Sequence, residues 1–265
     1  MSIIDAPAGS RFDRHTAVQD GVRAEVDGSW SGYLGAHGGY VAAIALRAAR
    51  YAVDDCCRAP RALTVSLLEP VAAGRVDLDP RLERHGGSVS TVTVRAEQDG
   101  RPVALALATF GAERAGLAHA ADAMPSVAPP EDCAPLGGRP VPQADMSQYV
   151  EYRPAIGLPL SGGDEGRLVV WMRLSEHRPV DAAVATFLAD AVAPALYGRL
   201  AEYVAMPTVE LSVHYAAAPD PAPEWVLADV RNRRTADGYA VEDGELWAPD
   251  GRLLLHTRQL RRVLG

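Results

Sequence analysis

Residues 84–110 read RHGGSVSTVTVRAEQDGRPVALALATF, two apolar-alternating runs joined at Asp99-Gly100. A DG pair between such runs is a hairpin signal, because both positions tolerate the positive φ that a tight two-residue turn demands. The pattern returns near the C-terminus, where residues 237–263 read DGYAVEDGELWAPDGRLLLHTRQLRRV. A shift of 151 lays Asp99-Gly100-Arg101 on Asp250-Gly251-Arg252 and Gly87 on Gly238. Upstream, allowing a five-residue insertion around APDPAP (218–223), a shift of 146 lays Leu63-Thr64-Val65-Ser66-Leu67 on Val209-Glu210-Leu211-Ser212-Val213. Each copy is preceded by an Ala-rich apolar helix, about Gly39 to Tyr51 in the first and about Pro179 to Leu200 in the second. The chain is therefore a tandem repeat of helix, strands and DG hairpin. One helix followed by an antiparallel meander buries its apolar stripe against the sheet, an α+β layer. The opening strand pairs are expected within Gly21 to Gly32 and within Tyr149 to Arg173. Between the copies, residues 112–148 are rich in Ala and Pro without a sustained period and read as a linker. The resulting partition is 1–111, 112–148 and 149–265.

Composition narrows the chemistry. The 265 residues suffice for one large domain or two half-sized ones, and 48% apolar with 23% charged is ordinary globular usage. All 26 basic residues are arginine. Without lysine there is neither a Schiff base nor the lysine of a phosphate-binding P-loop. The net charge of −8 disfavours broad nucleic-acid binding. No apolar run is long enough for a membrane-spanning helix, and Met1 to Ser10 lacks a signal-peptide pattern, so a cytoplasmic location is expected. Cys56, Cys57 and Cys133 offer no disulfide framework or metal pair and are expected to be reduced. No GxSxG elbow, HExxH helix or GxGxxG loop is present.

His37-Gly38-Gly39-Tyr40 opening an Ala-rich helix, LTVSLLEPVAAG (63–74) and residues 84–110 resemble the first half of type II, TesB-like acyl-CoA thioesterases. FLADAVAPAL (187–196), PTVELSVHY (207–215) and residues 237–263 resemble the second half. The resemblance implies a double hot-dog, two tandem antiparallel sheets each wrapping a central helix, with the halves side by side in one continuous sheet. It further implies hydrolysis of an acyl thioester, CoA-linked or otherwise, without metal or organic cofactor. By the same resemblance Asp190, Thr208 and Gln259 hold the attacking water, and the amides at Gly38 and Gly39 serve the oxyanion. The repeat places Ala62, Ala108 and Ile44 at the matching first-half positions, so a single site is expected in the second half. Self-association is expected because open sheets present edges. A non-hydrolytic acyl-thioester or lipid binder of the same fold is the alternative.

The residues are consistent with this placement on physical grounds. Val184, Phe187, Leu188 and Ala191 mark an apolar helix face with Asp190 at its edge, where it can touch both sheet and solvent. Pro194 should end or kink that helix. Leu253, Leu255, Thr257 and Gln259 share one strand face, so Gln259 continues a core row. Simple alternation turns Thr208 away from Val209, Leu211 and Val213, so a bulge or strand-end twist has to re-aim it. His37 reads as a helix-entry residue and His214 as outward-facing. Arg231, Arg233 and Arg234, with Arg258, Arg261 and Arg262, are either solvated charges or contacts for CoA phosphates.

Overall fold

A computed structural model of the chain describes residues 9–117, 119–138, 144–216 and 223–264. Residues 1–8 of the N-terminal segment read for a leader, most of the APDPAP insertion and parts of the expected linker lie outside the described residues. In the first half come α1 (Arg11–His15), β1 (Val18–Gln19), β2 (Arg23–Val26), α2 (Gly38–Val53), β3 (Arg58–Leu67), β4 (Gly74–His85), β5 (Val89–Gln98) and β6 (Arg101–Ala112). The second half holds β7 (Val150–Ile156), β8 (Arg167–Leu174), α3 (Ala182–Ala191), β9 (Thr208–Tyr215), β10 (Val226–Ala236), β11 (Tyr239–Trp247) and β12 (Leu253–Arg262).

The strands of the two halves join in one continuous sheet, as expected. Among the described residues its twelve strands run β1-β2-β4-β5-β6-β3-β9-β12-β11-β10-β8-β7, every neighbouring pair antiparallel. The order is palindromic about the β3–β9 junction. There Val65 faces Leu211, Thr64 faces Ser212 and Ser66 faces Glu210. A shift of 146 (211 − 65) maps this register onto itself, so the repeat read from sequence is a local twofold axis in space. Pairing β3 with β9 removes two sheet edges that separate halves would expose.

Asp99 and Gly100 both take positive φ (52° and 74°), as a tight turn requires. Asp237 and Gly238 do the same between β10 and β11. The turn at Asp250-Gly251 is wider: only Gly251 has positive φ, and the β11–β12 register shifts at Leu246/Trp247. That shift corrects one expectation. Leu253 packs with Trp171 and Trp247 on the outer face, whereas Leu255 lies in the main core.

The helix α2 closely follows its expected span. The second helix is shorter than expected. Asp181 caps α3 by accepting the Val184 N–H at 2.9 Å, and the helix stops at Ala191, with a separate 3₁₀ turn at Ala195–Gly198. Pro194 cannot donate to the Asp190 carbonyl, which accounts for the early end. Gly38 and Gly39 bring the two helices together. A Cβ on Gly39 would sit 2.7 Å from the Phe187 carbonyl oxygen and 2.9 Å from Asp190 Cβ.

The expected linker does more than connect. Met124, Val127 and the buried Cys133 pack on Val169, Trp171, Leu227 and Trp247, covering the outer face of the second half. Trp171 Nε1–H donates to the Ala128 carbonyl at 2.9 Å, and Arg153 Nη1–H to the Pro130 carbonyl at 2.8 Å. Burial on both faces explains the unbroken apolar run of β8. On the first half, Leu105 and Leu107 stay 40% and 49% exposed on the outer face.

Candidate active site

Asp190 stands in the last turn of α3, 4% exposed. It does not reach solvent as a helix-edge residue would, because residues Ala183 through Ala191 are all buried and α2 covers the exposed side expected of it. Its Oδ2 accepts the Gly39 N–H at 2.8 Å, and its Oδ1 accepts the Thr208 hydroxyl at 3.0 Å. A carboxylate held by a helix N-terminal amide is favourably placed, since the amide and the helix dipole both favour negative charge.

Thr208 reaches Asp190 through a bulge. Along β9 and β12, Gln259 faces Leu211 and Leu260 faces Glu210, but Arg261 faces Thr208, skipping Val209. The extra residue flips the phase and turns Thr208 to the side of Leu211. Thr208 Oγ1 also lies 3.3 Å from Gln259 Oε1 and accepts Arg261 Nη1–H at 2.9 Å. One hydroxyl carries one proton, and the shorter contact assigns it to Asp190. Gln259 Nε2–H donates to the Ala189 carbonyl at 3.3 Å. The opposite amide orientation would set two oxygens together, so the Gln259 oxygen faces Thr208.

The structure thus brings Asp190, Thr208 and Gln259 together, with Gly38 and Gly39 beside them. They do not play equal parts in the cavity. A cavity of about 340 Å³ opens at this point, lined by His37, Gly38, Asp190, Thr208 and Arg261. Gln259 and Gly39 lie behind that wall. The Gly39 amide, expected to face an oxyanion, is engaged by Asp190, which leaves the Gly38 amide at the cavity wall. Tyr33, Leu67, Met146, Tyr197 and Met206 supply an apolar lining, and Arg262 stands at the rim.

Three residues gained roles that the sequence reading did not give them. Arg261 is 6% exposed, with Nε–H donating to Glu242 Oε2 at 2.7 Å and Nη2–H to Asp190 Oδ1 at 3.4 Å. Burial pulls its pKa down, but the charges of Glu242 and Asp190 outweigh that and hold it above the ordinary arginine value. The signal was present: the alternation Leu255, Thr257, Gln259 continues to Arg261, and Ala240, Glu242, Gly244, Leu246 is an inward row on β11. The other clustered arginines behave differently. Arg231 pairs with Asp229, Arg233 and Arg258 with Asp243, and Arg234 with Asp237, which places carboxylates where CoA phosphates were considered.

His37 is the N-cap residue of α2, as its helix-entry reading implies, yet its ring turns inward. Its Nε2 lies 3.1 Å from the Asp190 carbonyl oxygen and 3.3 Å from Asp190 Oδ2. Both neighbours are acceptors, so Nε2 carries the proton. Burial lowers the His37 pKa, Asp190 opposes that shift, and the net direction is down, so the ring is neutral near pH 7. Nδ1 is buried and, among the described residues, has no hydrogen-bond partner.

No helix of the described residues is long and apolar enough to cross a membrane. The acyl-CoA thioesterase N-terminal domain pattern matches residues 26–111, and the corresponding C-terminal domain pattern matches residues 130–263. Among solved structures, the chain is similar to a hot-dog-fold protein of unknown function from Alicyclobacillus acidocaldarius, at 29% identity and TM-score 0.90 over 97% of this chain and 98% of that one. It is also similar to the acyl-CoA thioesterase II TesB2 of Mycobacterium marinum, at 21% identity and TM-score 0.74 over 95% and 97% of the two chains, a likeness of fold. No curated protein matches the sequence. Both domain patterns occur in order and together span most of the length, so the chain belongs to the acyl-CoA thioesterase family and carries its hot-dog fold.

Proposed function

We propose that this double hot-dog chain hydrolyses acyl-CoA thioesters by direct attack of water, at one site built from Asp190, Thr208 and Gln259. The observation that carries the reading is the buried Asp190 carboxylate on the wall of an apolar cavity, with the Thr208 hydroxyl bonded to it. In this reading a water lies between Asp190, Thr208 and the thioester carbonyl carbon. Asp190 takes its proton as the C–O bond forms, and the Gly38 amide stabilises the developing oxyanion. Collapse of the tetrahedral species breaks the C–S bond. The thiolate leaves readily, since thiols ionise near pH 8.5, and it recovers the proton from solvent or Asp190. Gln259 acts one step removed, from behind the cavity wall, where its amide donates to the Ala189 carbonyl beside Asp190. No metal or organic cofactor has a part in these steps.

The alternative, a non-hydrolytic acyl-thioester binder, draws on one observation. Gly39, Thr208, His37 and Arg261 together surround both oxygens of Asp190. Water must displace the weakest of these contacts, the 3.4 Å approach of Arg261. Incubation with acyl-CoAs of graded chain length and a thiol reagent distinguishes the readings. Cys56 and Cys57 are exposed and react once per chain, so only thiol release beyond two equivalents counts as turnover. Multiple turnover is expected. Tight binding without release at every chain length would leave the binder. Cytoplasmic location and self-association belong to the same proposal, the latter through sheet edges and the exposed Leu105 and Leu107.

A further inference from the structure

The local twofold axis has a consequence for the half that lacks the polar set. Applying the repeat shifts of 146 and, on the last strand, 151 to the wall of the active-site cavity generates a second set of positions. Ala36 and His37 map to Ala182 and Ala183, Val192 and Tyr197 to Leu46 and Tyr51, Met206 to Pro60, and Arg261 to Phe110. All six of these line a second cavity, at the opposite ends of the same two helices. It is a separate space of about 690 Å³, about twice the volume of the first. Duplication left two cavities, and loss of the water-holding groups did not close the second one.

The second cavity has its own chemistry. Leu46, Phe110, Ala59 and Pro60 form an apolar floor. Three guanidiniums border it, those of Arg47, Arg50 and Arg58. Arg47 is paired with Asp13 at 2.5 Å and Arg58 with Asp55 at 2.8 Å. Asp181 also lines the wall and is paired with Arg178. Arg50 is different: it donates to the Arg58 carbonyl and, among the described residues, has no carboxylate partner. Its guanidinium lies 5.9 Å from the Phe110 ring centroid, so an uncompensated cation stands directly over the apolar floor. Where His37, Asp190 and Thr208 stand in the first cavity, the repeat gives Ala183, Ile44 and Ala62, and the two carboxylates on this wall, Asp13 and Asp181, are both held by arginines.

We propose that this second cavity is a non-hydrolytic binding site for an amphipathic anion, an acyl chain on the Leu46–Phe110 floor with its anionic group at Arg50. An arginine with open donors matches a carboxylate or phosphate geometrically, and a cavity of this size with an apolar floor, whose other charged side chains are already paired, suits such a ligand. The anion has two sources, the carboxylate of a free acid or the phosphates of a CoA thioester. Occupancy of this site does not depend on hydrolysis at the first.

Cys56 lines the second cavity, and no cysteine lines the first. Its alkylation therefore reports on one site alone. The test uses the full chain carrying Cys57→Ser, with the iodoacetamide reaction of Cys56 followed by mass spectrometry. Octanoate, S-octyl-CoA (a thioether that cannot be hydrolysed) and octanol are compared. At four times its dissociation constant a protecting ligand slows the reaction about fivefold. Protection by octanoate, abolished by Arg50→Ala, assigns the free acid. Protection by S-octyl-CoA alone, again lost in Arg50→Ala, assigns the thioester. Ala17→Trp, at an exposed position on the rim, blocks the mouth and should leave Cys56 indifferent to every ligand. Protection by octanol equal to that by octanoate, protection that survives Arg50→Ala, or no protection by any ligand overturns the proposal. Because the readout is not turnover, these outcomes are independent of whether the first site hydrolyses thioesters.

Discussion

Arg261 is buried and held by Glu242, Asp190, Thr208 and the Met206 carbonyl, so removing it strands Glu242 as an unpaired buried charge. Arg261→Ala should therefore cost about 3–5 kcal/mol in chemical denaturation, the range for breaking a buried pair from one side. Arg261→Met combined with Glu242→Leu should recover most of that stability, because two apolar side chains of similar volume leave no orphan charge. It should nevertheless lower kcat, since Thr208 loses the N–H that fixes its hydroxyl. A double variant with restored stability and unchanged kcat would make the pair purely structural. His37 yields a different measurement. Its folded pKa is lowered from 6.5, so below that value the unfolded chain takes up a proton that the folded chain refuses. Stability is thus full above about pH 6.5 and declines as the pH falls towards the folded pKa. Asp13 and Asp229 are also shifted down, but from 3.8, and their losses occur at lower pH. Thermal unfolding from pH 7.5 to 5.5 should show a falling midpoint that is largely flattened in His37→Gln. An identical slope in both proteins would remove His37 as its source.

At the level of elements, the site exists because two helix ends meet without side chains between them. Gly39→Ala forces a Cβ against the Phe187 carbonyl and Asp190 Cβ, backbone-linked atoms that cannot rotate away. The helices must separate, at a cost of about 1–3 kcal/mol by the usual scale of overpacking, and kcat should fall with it. Denaturation and steady-state kinetics on the same preparation would show both, and unchanged values would mean that α2 and α3 yield freely. How far the elements were legible depended on how local their causes are. The DG turns and α2 follow from near-neighbour chemistry and could be read directly. The early end of α3 was signalled by Pro194, yet the apolar run beyond it concealed the break. The strand-end bulge at Val209 was inferred only as a need of Thr208, whereas the phase change that sends Leu253 outward depends on a wide turn that a second DG pair disguises. The segment after β6 looked like a tether because its packing onto Trp171 and Trp247 is irregular and leaves no period.

For the whole molecule, the twofold repeat was legible because matching turns and alternations survive in sequence, and the β3–β9 register places its axis at Val65–Leu211. The grouping of Asp190, Thr208 and Gln259 was legible through family resemblance. The buried Arg261–Glu242 pair was legible only from the inward rows of β11 and β12 taken together, and the cluster of charges around Arg261 obscured that alternation. On the proposed reading, catalysis resides in one half of a duplicated fold. Asp190→Asn keeps the side-chain size and removes the base, while Ala62→Ser restores a hydroxyl at the first-half counterpart of Thr208. The most direct test is steady-state acyl-CoA hydrolysis by these two variants and the unchanged chain, with folding verified by thermal unfolding. Asp190→Asn should lower kcat by about 10²-fold or more, the scale of general-base catalysis, and Ala62→Ser should leave it unchanged. Wild-type turnover in folded Asp190→Asn would contradict the account and move the search for the catalytic group to His37 and the N-terminus of α2.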